Sequence, residues 1–219
     1  MLTIPLLPGR ARERRAAASV AWTAAVTVFS ALAAAGLLTA CGSAQAPQQA
    51  SSPPPKTAQS TLPGTGGLAV CQSATLKVAL DTSQAGGAMG STYYPVNFTN
   101  TSGSPCGMYG YPDMSFVTSA GTSGVQIGAA AQENPSFGRL AVRVPAGGIA
   151  HAWLQVAAAG NYPASTCRPA TAHWLRVYPP GDAVASYVDV SFAACASAST
   201  PVLTVMPVRS GHGVRGVTP

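Results

Sequence analysis

The residue with the most specific chemistry in this chain is Cys41, which closes Leu38-Thr39-Ala40-Cys41 and is followed by Gly42-Ser43. That spacing matches a bacterial lipobox, in which the thiol is expected to take a diacylglyceryl group and the small residues before it to admit a signal peptidase to the Ala40–Cys41 bond. The new amino group on Cys41 is a further acylation point, and two or three chains anchor stably where one is marginal. Upstream, Arg10, Arg12, Arg14 and Arg15 form a basic n-region, and Ala16 to Ala40 is an uncharged run of about 25 residues. Length alone would allow a permanent membrane span, but the lipobox at its end reads instead as a cleaved signal peptide over residues 1–40. Arg14-Arg15 lacks the hydrophobic follow-up of twin-arginine export, which favours the general secretory route. The expected location is the outer face of the cell membrane, with the lipid on Cys41 as anchor.

Four further cysteines, Cys71, Cys106, Cys167 and Cys195, form an even set in an exported chain and so read as disulfides. Four allow three pairings. Cys71–Cys106 and Cys167–Cys195 are favoured because each pair flanks its own half of the strand series. A metal site fits poorly, with no Cys-x-x-Cys and no histidine near two cysteines. Copper would need His, Cys and Met together, and Met108 follows Cys106 without a nearby histidine. No metal or cofactor is expected. His151 and His173 read as solvent-facing strand residues, and His212 as part of a glycine-rich tail. Asp81, Asp113, Glu133, Asp182 and Asp189 form no evident pair. There is no Gly-x-Ser-x-Gly and, after Cys41, no Ser-x-x-Lys. Gly86-Gly87-Ala88-Met89-Gly90 leads into a strand rather than a helix, so it is a poor phosphate cradle. With no nucleophile, acid–base pair or ligand set to assemble, the chain is not expected to be an enzyme.

The elements that would position any site follow from composition. Residues 41–67 are rich in Pro, Ser, Gln, Thr and Gly and contain one charge, Lys56. Such a segment cannot repay its ordering entropy and is expected to be a disordered tether, spanning roughly 30 Å as a coil and about 80 Å as extended polyproline. From residue 68 to 208 the apolar period shortens to two. Strands are expected at 76–80, 93–99, 114–118, 125–129, 140–144, 150–156, 174–178, 188–192 and 202–208, separated by Gly, Pro, Asn and Ser turns. This pattern predicts an all-β domain, an immunoglobulin-like β-sandwich with two disulfides, followed by a disordered tail at 209–219. Only 8% of residues are charged, against about a quarter in an ordinary cytosolic domain. The formal charge is +6, but the basic residues beyond Cys41 are scattered, which argues against a nucleic-acid partner.

The domain resembles a known family, domain of unknown function 4232, common in lipoproteins of high-GC Gram-positive bacteria. The resemblance rests on Cys71; on Phe98-Thr99-Asn100-Thr101-Ser102-Gly103-Ser104-Pro105-Cys106 and Gly110-Tyr111-Pro112; and on Val144-Pro145-Ala146-Gly147 before Ala150-His151-Ala152. It continues through Cys167-Arg168-Pro169, Leu175-Arg176-Val177-Tyr178-Pro179-Pro180-Gly181 and Cys195. It implies an exported β domain and carries over no catalytic residue. The same motifs have structural readings: a turn at 100–105 with Asn and Ser bonding their own backbone, a tyrosine corner at Tyr111, and a hairpin turn at 145–148. The leading functional expectation is a tethered binding module for an envelope component, a protein, glycan or lipid, with Tyr93, Tyr94, Tyr109 and Tyr111 as candidate binding-loop residues. A structural envelope protein without a discrete ligand is the main alternative, and a metal carrier the remote one.

Overall fold

A computed structural model describes residues 64–216. The described strands are β1 (Leu76–Leu80), β2 (Gly86–Ala88), β3 (Ser91–Asn100), β4 (Cys106–Tyr109), β5 (Asp113–Val117), β6 (Gln126–Ile127) and β7 (Gln132–Glu133). They continue with β8 (Ala141–Val144), β9 (Ile149–Ala157), β10 (Pro169–Tyr178), β11 (Ser186–Cys195), β12 (Leu203–Val205) and β13 (Arg209–Ser210). A one-turn helix, Ala164–Cys167, is the only α-helix among the described residues. No helix there is long and apolar enough to cross a membrane. The signal peptide, Cys41 and most of the expected tether lie outside the described residues.

Two main sheets build the sandwich. The larger runs β1-β3-β9-β12-β7, with β2 also on β3 and β13 also on β9; the smaller runs β11-β10-β5-β6. A third, two-stranded sheet joins β4 to β8. Alternation explains which residues meet between the main sheets. Val96 and Phe98 of β3 and Ala152 and Leu154 of β9 share one core with Phe116 of β5 and Leu175 and Val177 of β10. Each of these large side chains contributes about 1.5–3 kcal/mol on leaving water. The result is the all-β, immunoglobulin-like sandwich expected from sequence, closed by both favoured disulfides, Cys71–Cys106 and Cys167–Cys195.

Neither disulfide joins the two main sheets. Cys167 sits in the helix before β10 and Cys195 ends β11, so their bond pins the open end of that hairpin, where Pro169 faces Cys195. The other bond holds the entering chain on β4. There the Cys71 amide donates to the Gly107 carbonyl at 3.0 Å, and the Gly107 amide donates to Ala69 at 2.8 Å. Gly107 must be glycine for this crossing, because a Cβ there would lie 2.7 Å from Thr65 Cγ2. Thr65, placed by composition in the tether, is accordingly buried at 7% exposure.

Two corners behave as their residue types predict. Asn100 is fully buried; its side-chain oxygen accepts from the Ser102 amide at 3.0 Å and the Ser102 hydroxyl at 2.7 Å. The Tyr111 hydroxyl lies 2.7 Å from the carbonyls of both Asn134 and Phe137, donating to one at a time. This ties the Gly110-Tyr111-Pro112 corner to the loop after β7.

Other expectations need correction. Residues 145–148 do form a tight turn, closed by the Gly148 amide on the Pro145 carbonyl at 2.9 Å. It is not a hairpin, however, because β8 pairs with β4 while β9 pairs with β3. The turn carries the chain from one sheet to another. The expected tail at 209–219 begins as structure: Arg209 and Ser210 pair with His151 and Ala150 of β9. His151 is not solvent-facing either; it is 9% exposed. It lies on the outer face of the large sheet, where the returning C-terminal segment covers it.

Candidate functional site

Where the two sheets part, at the β2–β3 hairpin and the edge strand β11, the core opens to solvent. β3 turns Tyr94 inward with Val96 and Phe98, and β11 turns Phe192 inward with Val190 and Ala194. Both aromatic rings pack on the core yet remain half-buried. Tyr94 meets Phe192 edge-on, centroids 5.1 Å apart, and Phe192 leans on Phe116 at 5.5 Å. Edge-to-face pairs of this kind are favoured by the ring quadrupoles, so the two rings form a fixed apolar wall.

The opposite lip comes from the hairpin turn. Ala88 pairs with Ser91, leaving Met89 and Gly90 as a two-residue turn with φ of 35° and 82°. Both positive values fit a type I′ turn, which normally takes Asn or Gly first. Here a methionine stands in that position, fully exposed at 104%. The Gly90 carbonyl accepts from the Ala158 amide and Asn161 Nδ2, both at 2.8 Å, and this fastens the hairpin tip to the loop after β9. A Cβ on Gly90 would approach Asn161 Nδ2 to 2.7 Å.

Between these walls is a cleft of about 580 Å³, lined by Gly87, Met89, Tyr94, Val156, Ala159 and Phe192 among others. That volume lies in the range of small-ligand sites, about 300–1,000 Å³. Its lining has no ionisable carboxylate, histidine or amine; Ser91, one of the polar groups, accepts from Gln155 Nε2 at 3.1 Å. The arrangement can hold an apolar or amphipathic group by contact with rings, methyls and a polarisable thioether.

The four candidate tyrosines do not form one loop. Tyr93 and Tyr94 are strand residues facing opposite sides of the sheet, and Tyr93 sits across from Gln155. Tyr94 alone of the four lines the cleft. Tyr109 ends β4 opposite Ala141, and Tyr111 is committed to its corner beneath the Arg139 guanidinium, 5.2 Å from the ring centroid. Arg139 is itself paired with Glu133 at 2.7 Å, which raises its already high pKa. Phe192 is marked by no motif in the sequence, and Met89 falls only within the glycine-rich run 86–90, where it reads as no ligand contact. The Met-Gly pair in a hairpin turn was the available signal for the second.

Among the described residues no three His, Cys, Asp or Glu side chains converge as metal ligands, and the four domain cysteines are in disulfides. Met108 is a fully buried core residue. His173 is exposed on β10.

The sequence from 71 to 209 matches the family model described as Domain of unknown function (DUF4232). No curated protein and no solved structure matches the chain.

Proposed function

We propose, given that this chain belongs to the DUF4232 family, that it is a membrane-anchored extracytoplasmic lipoprotein whose β domain binds an envelope component. The observation that carries the binding role is the cleft between the sheets, with Tyr94 and Phe192 as its aromatic wall and Met89 at its lip. The anchoring role rests on Leu38-Thr39-Ala40-Cys41 behind a basic and apolar leader. A lipid on Cys41 would hold the domain at the membrane, and the Pro- and Ser-rich residues after it would set its distance from the surface.

The cleft takes a ligand by contact, not by reaction. Aromatic and thioether surface favours an apolar moiety on a protein partner or the apolar face of a glycan, and the domain's role is then presentation and capture rather than catalysis. Two measurements test the two halves. Cys41→Ala should move the protein from the membrane pellet to the soluble fraction and abolish incorporation of labelled palmitate. Retention in the pellet, with label, would refute the anchor. Tyr94→Ala with Phe192→Ala should lose ligand protection of the cleft while both disulfides remain formed.

A further inference from the structure

Away from the cleft, the outer face of the large sheet is crossed by the chain's own C-terminal segment. Odd-numbered residues of β9 point away from the core, placing His151 and Trp153 on this face, with Asn97 and Pro95 of β3 directly across from them. After β13 the chain runs over His151, Asn97 and Pro95. The Gly211 amide donates to the Ile149 carbonyl at 2.8 Å. His151 Nδ1 lies 2.9 Å from the Gly211 carbonyl, so that nitrogen carries the hydrogen. The Gly213 amide donates to Asn97 Oδ1 at 3.2 Å, and the Arg215 amide to Gln84 Oε1 at 3.1 Å.

Gly211-His212-Gly213 is shaped for this seat. Gly211 has φ of 81°, and a Cβ on Gly213 would lie 2.2 Å from Pro95 Cβ and 3.1 Å from His151 Cδ2. What holds the segment is polar. Its one large apolar side chain, Val214, is 48% exposed. On the same face of the sheet, Trp153 is 5% exposed and its indole Nε1 is buried with no hydrogen-bond partner.

We propose that residues 209–216 form an acid-released strap: protonation of His151 lifts the segment from the sheet and uncovers His151, Asn97 and Pro95. In the seated state the ring is neutral, with its one hydrogen committed to Gly211. A second proton would create a cation that burial disfavours, facing Arg209 on β13 and His212 on the strap itself. Among the described residues no carboxylate answers it. β3 presents Asn97 and Pro95, β9 presents Trp153, and the charge interaction of Asp81 is with His212. Burial first, then Arg209 and His212, outweigh the Gly211 hydrogen bond and hold His151 below the ordinary imidazole value of 6.5. Lifting the strap returns the ring to water, so the lifted state has the greater proton affinity and acid favours it.

The test is hydrogen exchange on the full-length chain at pH 7.5 and pH 5, with rates corrected for intrinsic chemical exchange. Protection of the Gly211 and Gly213 amides should fall several-fold on acidification, because the lifted state has the greater proton affinity, while β3 and β9 stay protected. His151→Gln keeps an N–H donor and cannot titrate, so its strap protection should not change between the two pH values. Gly213→Ala should leave the strap exposed at both. Equal wild-type protection at both pH values, or an undiminished acid response in His151→Gln, would overturn the proposal.

Discussion

At Asn100 the side-chain amide lies 2.8 Å from the Ser104 carbonyl, 3.2 Å from that of Val144 and 3.1 Å from that of Pro145, so two hydrogens serve three acceptors. This joins the turn after β3 to the sheet-changing turn after β8. Asn100→Ala should lower stability by about 2–3 kcal/mol in urea unfolding, because buried carbonyls lose their donor; Tyr111→Phe, at the more exposed corner, should cost about 1 kcal/mol. Equal, small losses would show that water replaces the Asn100 donor. The Asn-x-Ser spacing made the local turn legible in the sequence. Its link to Val144 and Pro145 was not, since nothing in residues 100–105 names a partner so far along the chain. His151 was hidden for the same reason. Flanked by Ala150 and Ala152, it sits on the face away from the core, and only the return of residues 209–216 buries it.

Strand periodicity located the elements well where parity holds. β1 is found at the expected 76–80, and β9 extends the expected 150–156 by one residue at each end. β10 was read only from 174 because the register shifts between Ala172 and Trp174. That bulge puts His173 in solvent and breaks the alternation on which the reading depends. β2 and β4 fall outside the expected strands because Gly86-Gly87 and Gly107 interrupt the apolar alternation that marks a strand. At this scale the β10–β11 hairpin is pinned at one end by Cys167–Cys195. The paired substitution Cys167→Ala with Cys195→Ala should cost about 3.5 kcal/mol from loop closure, measured by denaturant unfolding of the oxidised chain. At the hairpin's other end Asp182 Oδ2 accepts from the Ser73 amide at 2.6 Å. Burial alone would raise this carboxyl, but the Ser73 hydrogen bonds prevail and its pKa is lowered from 3.8. The native state therefore favours the carboxylate. The contribution is complete above the unfolded value near 3.9 and is lost as pH falls through the lower folded value. Asp182→Asn should flatten the acid limb of the stability profile between pH 5 and pH 2; an unchanged slope would remove Asp182 from that role.

For the molecule as a whole, the place of each cysteine pair along the strand series, rather than parity alone, led to the disulfide pairing observed. The cleft was only partly legible. Tyr94 was a candidate, but Phe192 reaches it from ninety-eight residues further on, and which two strands form the open edge depends on sheet order that no local pattern encodes. In the account proposed here, the lipid on Cys41 places the domain at the membrane and the open edge of the sandwich faces its partner. The most direct test is amide exchange on the full-length chain with and without detergent-solubilised envelope from its own host. The account predicts slowed exchange confined to residues 86–94, 156–160 and 190–194, abolished by Tyr94→Ala with Phe192→Ala. Slowing elsewhere with the cleft unchanged, or protection that survives the double substitution, would contradict it.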